Sequence, residues 1–167
     1  MSIFNRIRNP EIVRNLVFGT EDSLVSTIGF VSGIASAGVA SRTIILSGVI
    51  LILVEAFSMA IGSLVSSNSA DEVMKQKAVA YGRSTGYAFI MFFSYIVAGA
   101  LVLLPYFVVP VAAAFRASIC IALILLFSLG ALSGYYARIS PWRKGISITL
   151  IGGIAIVIGV VVGSAFN

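Results

Sequence analysis

The stretch LILVEAFSMAIGSLVSS holds an acid, Glu55, in the middle of an apolar run. On insertion scales a central carboxylate costs on the order of 2.5 to 3.5 kcal/mol, so such a group faces a partner, a cavity or an ion route. Earlier in the chain, GTEDSLVSTIGF sets Glu21 and Asp22 against the start of another apolar run, and Met59 follows Glu55 by about one helical turn. Two carboxylates and a thioether supply hard and soft donors together. That set suits a borderline divalent transition metal better than Mg²⁺ or Ca²⁺, whose sites favour oxygen alone, while copper(I) calls for more sulfur. Because carboxylates bind a metal only when deprotonated, uptake of the ion is coupled to proton movement.

Each residue also has a plainer reading. Asp22, flanked by Thr20, Glu21 and Ser23, has the chemistry of a helix N-cap favoured by the macrodipole. Glu55 can serve as a neutral acid hydrogen-bonded across helices, and Met59 as a packing or lipid-facing methionine. Only the combination singles them out.

The elements that must position these residues follow from composition. A chain of 167 residues that is 59% hydrophobic and 10% charged has more apolar side chain than a water-soluble core of its size can hide. It reads as an all-α, polytopic membrane protein forming a single domain over residues 1–167. Five runs are long enough to cross the bilayer: Ser23 to Ala40, extended upstream to Ile12 by an apolar stripe that begins after Pro10, then Thr43 to Ser66, Tyr87 to Val109, Ala114 to Ala137 and Ile146 to Phe166. The basic N-terminal segment is read as retained rather than as a cleaved signal. With no histidine and one cysteine, Cys120, the chain lacks the means for histidine catalysis, zinc-ribbon sites or disulfides. No serine–lysine or other nucleophile–base pair lies inside a span, so no catalytic residue is assigned and an enzyme is not expected.

The net charge of +5 reads as topology and not as a nucleic-acid surface. Arg6, Arg8, Arg14, Lys75, Lys77, Arg83, Arg138, Arg143 and Lys144 fall on one side, Arg42 and Arg116 on the other. The positive-inside rule then puts the N-terminus in the cytosol and the C-terminus outside or in a lumen.

Spans one and two are read as an antiparallel hairpin. Counted from their shared end, Asp22 lies about 27 Å deep, Glu55 about 18 Å, Met59 about 24 Å and Gly62 about 28 Å, which sets Asp22 level with Met59 to Gly62. Helical spacing groups Asp22, Ser26, Gly29, Gly33 and Ser36 on one face, and Gly48, Glu55, Met59, Gly62 and Ser66 on another. Glu21, Ser26, Gly29 and Gly62 are the expected lining of a path between them. The pairs Gly29/Gly33, Gly130/Gly134 and Gly159/Gly163 have the spacing that supports close helix packing.

At GTEDSLVSTIGFVSGIA, EAFSMAIGSLVS, LLPYFV and PWRKGISITLIGGIAIVIGVVVG the chain resembles the vacuolar iron transporter family. The resemblance implies a five-span homodimer that moves Fe²⁺, and often Mn²⁺, out of the cytosol against protons. The ion is then cargo, with no permanently bound cofactor. It also implies that Asp22 and Met59 are the first- and second-span metal ligands and that two such sites meet across the dimer axis. Two departures stand out. Plant members carry a glutamate about two turns before the methionine, where this chain has Leu51 and instead places Glu55 one turn away. They also carry a glutamate-rich cytosolic insertion between spans two and three. Here that connection, SNSADEVMKQKAVAYGRSTG, offers only Asp71 and Glu72, read as solvated loop charges or a cytosolic entry for the ion.

The expected function is therefore export of Fe²⁺ or Mn²⁺ across a bilayer by a homodimer, with Glu55 as ligand or proton carrier. The short connection favours a prokaryotic cell membrane over a vacuolar one. Competing expectations are a proton-coupled organic-cation carrier and a non-transporting membrane scaffold or iron sensor.

Overall fold

A computed structural model describes residues 9–166. Within them the regular structure is entirely helical: α1 (Pro10–Ser36), α2 (Ser41–Lys75), α3 (Gly82–Leu103), the single-turn α4 (Pro105–Val108), α5 (Val111–Tyr136) and α6 (Pro141–Ser164). Four of these, α2, α3, α5 and α6, are long and apolar enough to cross a membrane. The fifth long helix, α1, spans 27 residues but carries Glu11, Arg14, Glu21 and Asp22 in its first half. Arg6 and Arg8, counted above among the topology signals, lie outside the described residues.

Local chemistry sets the helix ends. Asn9 caps α1 by accepting the Glu11 amide proton at 3.0 Å, and Pro10 takes the first helical position, where a missing N–H costs nothing. Asp22 therefore sits about three turns inside a continuous helix, and the N-cap reading of that residue is excluded. The third apolar run breaks before Pro105, whose ring cannot continue the preceding helix, and restarts as α4. The second run does not stop at Ser66. α2 continues to Lys75, so Asp71 and Glu72 stand on a helix and not in a loop. Local pairs support that extension: Lys75 bridges Asp71 at 2.6 Å, and Glu72 accepts from Asn68 and from the amide of Val79.

Five long helices alternate in direction. Asn9 beside Tyr87 and Ser23 beside Tyr95 make α1 and α3 parallel, and Gly29 and Gly33 against Ala155 and Gly159 make α1 and α6 parallel. α2 runs back along α3, with Gly48 against Leu103, and α5 runs back along α6, with Gly130 against Gly145. α1 thus lies innermost, between α3 and α6, although it is the most polar. Its residues Leu24 and Ile28 join Ala98, Val102, Ala122, Leu126, Ile148 and Ile156 in one core cluster, while Val31 joins Ile52, Ala56, Tyr95 and Leu103 in a second. One end of the bundle carries Arg14, Lys75, Lys77, Arg83, Arg138, Arg143 and Lys144, and the other carries Arg42 and Arg116.

All three glycine pairs noted in the sequence are used at helix crossings. Gly29 and Gly33 face Gly159 and Gly163 so closely that a Cβ on either of the latter would overlap backbone of α1, and Gly130 and Gly134 admit the head of α6. Without side chains in the way, helix backbones come into direct contact, which supplies dispersion where lipid leaves little hydrophobic drive.

Candidate functional site

The positions of Asp22 and Glu55 are set by the α1–α2 register. Asn15 is fully buried on α1 and accepts a short hydrogen bond from Ser63 of α2, while its own amide donates to the Glu11 carbonyl at 2.7 Å. In antiparallel helices that contact places Asp22 opposite Ala56 and beside Glu55, with Met59 opposite Gly19. The depth count from sequence, which paired Asp22 with Met59 to Gly62, is therefore off by about one turn. Its error lies in the connection: α1 ends at Ser36, and Ala37 to Ala40 form a turn around Gly38, at φ 74°, instead of continuing to rise as a helix. Removing four residues of rise shortens the α1 arm by about 6 Å. α2, moreover, leans on α3 along much of its length, with Gly48 against Leu103 and Ile52 against Gly99.

A residue of α3 completes the locus. Tyr95 is fully buried, and its hydroxyl lies 2.7 Å from Ser26 Oγ, while Ser23 donates to the Tyr95 carbonyl at 2.6 Å. Asp22 stands one turn before Ser26 on α1, and the register of α2 sets Glu55 at the same level of the bundle. Met59, on the same face of α2 as Glu55, packs against the cluster that holds Tyr95 and Ala56. One locus inside the bundle thus gathers two carboxylates, a phenol, a serine hydroxyl and, a turn away, a thioether. Two like charges where water is scarce repel, and a cation or a proton between them removes the repulsion.

The other expected residues divide by position. Glu21, Met59 and Gly62 line a groove of about 1500 Å³ that opens along α1 between α2 and the end of α5. Nothing stands near where a Gly62 side chain would be, whereas Gly29 is taken up by packing against Ala155 of α6. Asp71 and Glu72 lie about 18 Å or more along α2 from Met59, held by the contacts given above. Among the described residues no group of three or more Asp, Glu, Cys or His gathers as a metal cluster.

Tyr95 is the residue that the sequence reading missed. A tyrosine within an apolar run implies a hydroxyl in need of a partner, but nothing in GYAFIMFFSYIVAGA says that the partner is Ser26. Tyr95→Phe is expected to lower ion flux about tenfold while the fold is kept, because Ser26 loses its partner and the carboxylates lose a polar neighbour. Flux and thermal unfolding measured on the same preparation check this, and unchanged flux would assign Tyr95 to packing alone.

With this geometry in place, comparison with known proteins is decisive about kinship. A model of the VIT family matches residues 13–80 and 76–164, which takes in every long helix. The chain belongs to the VIT family. No curated protein matches it. Membership of the VIT family makes the chain a membrane protein of a group of metal-ion transporters and not of enzymes, as the resemblance of its motifs implied.

Proposed function

We propose that the chain is a five-span exporter of divalent transition metal, Fe²⁺ and Mn²⁺, that exchanges the ion for protons and works as a homodimer. The observation that carries this reading is the register that sets Asp22 and Glu55 at the level of the buried Ser26–Tyr95 pair, with Met59 one turn nearer the basic end. A carboxylate pair that holds either a divalent cation or protons is the minimal exchanger.

α1 is the fifth span in this reading. It runs parallel to α3 and α6 at the same depth and packs between them. The basic end faces the cytosol, so α1 starts there and α6 ends outside. Glu21 and Gly62 line the cytosolic approach, Ser26 and Gly29 belong to the stretch of α1 that flanks the site, and Asp71 and Glu72 meet the ion first. One chain provides few ligands, and a second copy facing it across α1 and α2 doubles the carboxylates around the ion. The membrane is a prokaryotic cell membrane in this reading, and no resident cofactor takes part.

Purified protein in proteoliposomes tests the reading. Uptake of Fe²⁺ and Mn²⁺ is expected to speed up when the vesicle interior is made acidic and to slow when a protonophore collapses the gradient. Binding without flux or counterflow would turn the reading into that of a sensor, and uptake indifferent to the gradient would remove proton exchange.

A further inference from the structure

The thioether of Met59 is not alone at its level of the bundle. Met91, on α3, is buried and lines the same groove as Met59, Glu21 and Gly62. Its sulfur rests against Gly19 of α1: a Cβ added at Gly19 would stand 2.9 Å from Met91 Sδ and would overlap Ser94 Oγ. The missing side chain of Gly19 therefore lets a sulfur from α3 reach the surface of α1, three residues before Asp22.

Two helix registers agree on where Met59 stands relative to that sulfur. The Asn15–Ser63 bond sets Met59 opposite Gly19, the glycine that Met91 touches. Along α2 and α3, Gly48 lies against Leu103 and Ile52 against Gly99, and the same antiparallel register carried two turns further brings Met59 opposite Phe92, the neighbour of Met91. Met59 and Phe92 pack against one cluster of buried residues, as that register requires. Met91 precedes Tyr95 by one turn on α3, and Met59 follows Glu55 by one turn on α2. About 6 Å from the carboxylates, toward the basic end, two thioethers from different helices thus form a layer that borders the groove.

Either methionine alone is an ordinary filler of an irregular gap. Two of them from separate helices, bordering one cavity just before a pair of acids, make a donor set of their own. Carboxylate oxygen suits Fe²⁺ and Mn²⁺, whereas thioether sulfur is soft, holds such ions weakly and selects Cu(I). Met74, the other methionine among the described residues, is exposed about 22 Å further along α2 and takes no part in the groove.

We propose that Met59 and Met91 form a binding site for a soft monovalent cation of the Cu(I) class, on the approach to the carboxylates. The two sulfurs hold the ion, and Glu21 on the same groove supplies negative charge. The site goes beyond the export of Fe²⁺ and Mn²⁺ and does not require it, because helix packing alone brings the sulfurs together.

The test reads binding and not flux. Cys120, an exposed thiol, competes for such ions, so the full-length protein carries Cys120→Ser. In detergent and without oxygen it is titrated with Cu(I) against a chromophoric chelator, and copper X-ray absorption identifies the atoms around the ion. About one Cu(I) per chain is expected, with sulfur neighbours. Met59→Leu and Met91→Leu nearly conserve side-chain volume and remove the donor. Each should weaken binding by at least about tenfold, the two together should abolish it, and Met74→Leu should leave it unchanged. The absorption spectrum of the Cys120→Ser protein decides the matter even where a leucine variant fails to fold. No retained Cu(I), copper surrounded by oxygen and nitrogen alone, undiminished affinity in either folded leucine variant, or loss of the site with Met74→Leu overturns the proposal. Absence of Fe²⁺ uptake beside intact Cu(I) binding would count against the exporter reading and not against this site.

Discussion

Metal uptake is expected to fall to the level of empty vesicles when Asp22 is replaced by alanine. The substitution removes one of two carboxylates from a level of the bundle whose other polar groups include Glu55 and the hydroxyls of Ser26 and Tyr95. Neutral hydroxyls do not replace a lost negative charge for a dehydrated divalent ion. The loss should exceed the roughly 10–100-fold that follows removal of a group that merely orients a metal ligand. Met59→Ala should slow uptake by a smaller factor, because a thioether contributes affinity for softer ions and little charge. Both variants should unfold within a few degrees of the unaltered protein, since Asp22 and Met59 are only partly buried. Full-rate uptake by Asp22→Ala, measured beside that control, would detach the family's ion chemistry from this residue.

Gly159→Leu is expected to do the greatest damage to the fold. A Cβ at position 159 would overlap the carbonyl of Gly29, and one at 163 that of Gly33. The obstacle is helix backbone, which cannot swing aside as a side chain can. Overpacking typically costs about 1–3 kcal/mol, and a branched side chain driven between two helix backbones belongs at the top of that range or above. α1 would be levered off α6, which disturbs the register at Asp22 as well. Gly153→Leu is the control, because nothing lies within 4 Å of where its Cβ would be. The first variant should lose its monodisperse peak in detergent and its cooperative melt, and the second should keep both. A Gly159→Leu protein that melts like the unaltered one would mean that the α1–α6 crossing is looser than described.

The four apolar helices were legible because hydrocarbon thickness imposes a length and a composition that any reader can count. The limits of α1 were partly legible, since Pro10 marks a start, whereas its end was not: SAGVASRT is apolar enough to pass for more helix, and only the backbone at Gly38 shows the turn. That error moved Asp22 by about a turn against α2 and placed it beside Met59 rather than Glu55. The helical run from Ser67 to Lys75 was hidden for the opposite reason, being too polar to count as a span yet held by Asn68, Asp71, Glu72 and Lys75 through local pairs. At the candidate site the acids announced themselves by their cost. Tyr95 did not, because a pairing between residues 26 and 95 depends on which helices are neighbours, and periodicity within a single helix carries no information about that.

The central placement of α1 bears on how the protein is made. α1 leaves the ribosome before any helix that can shelter it, for its closest neighbours, α3 and α6, come third and last among the long helices. With two acids exposed to lipid in the interval, it is a poor candidate for stable insertion on its own. In the five-span reading proposed above, assembly keeps this segment waiting at the translocon or the bilayer surface until synthesis is nearly finished. A chain truncated before α6 would then fail as a whole, and not simply lack one helix.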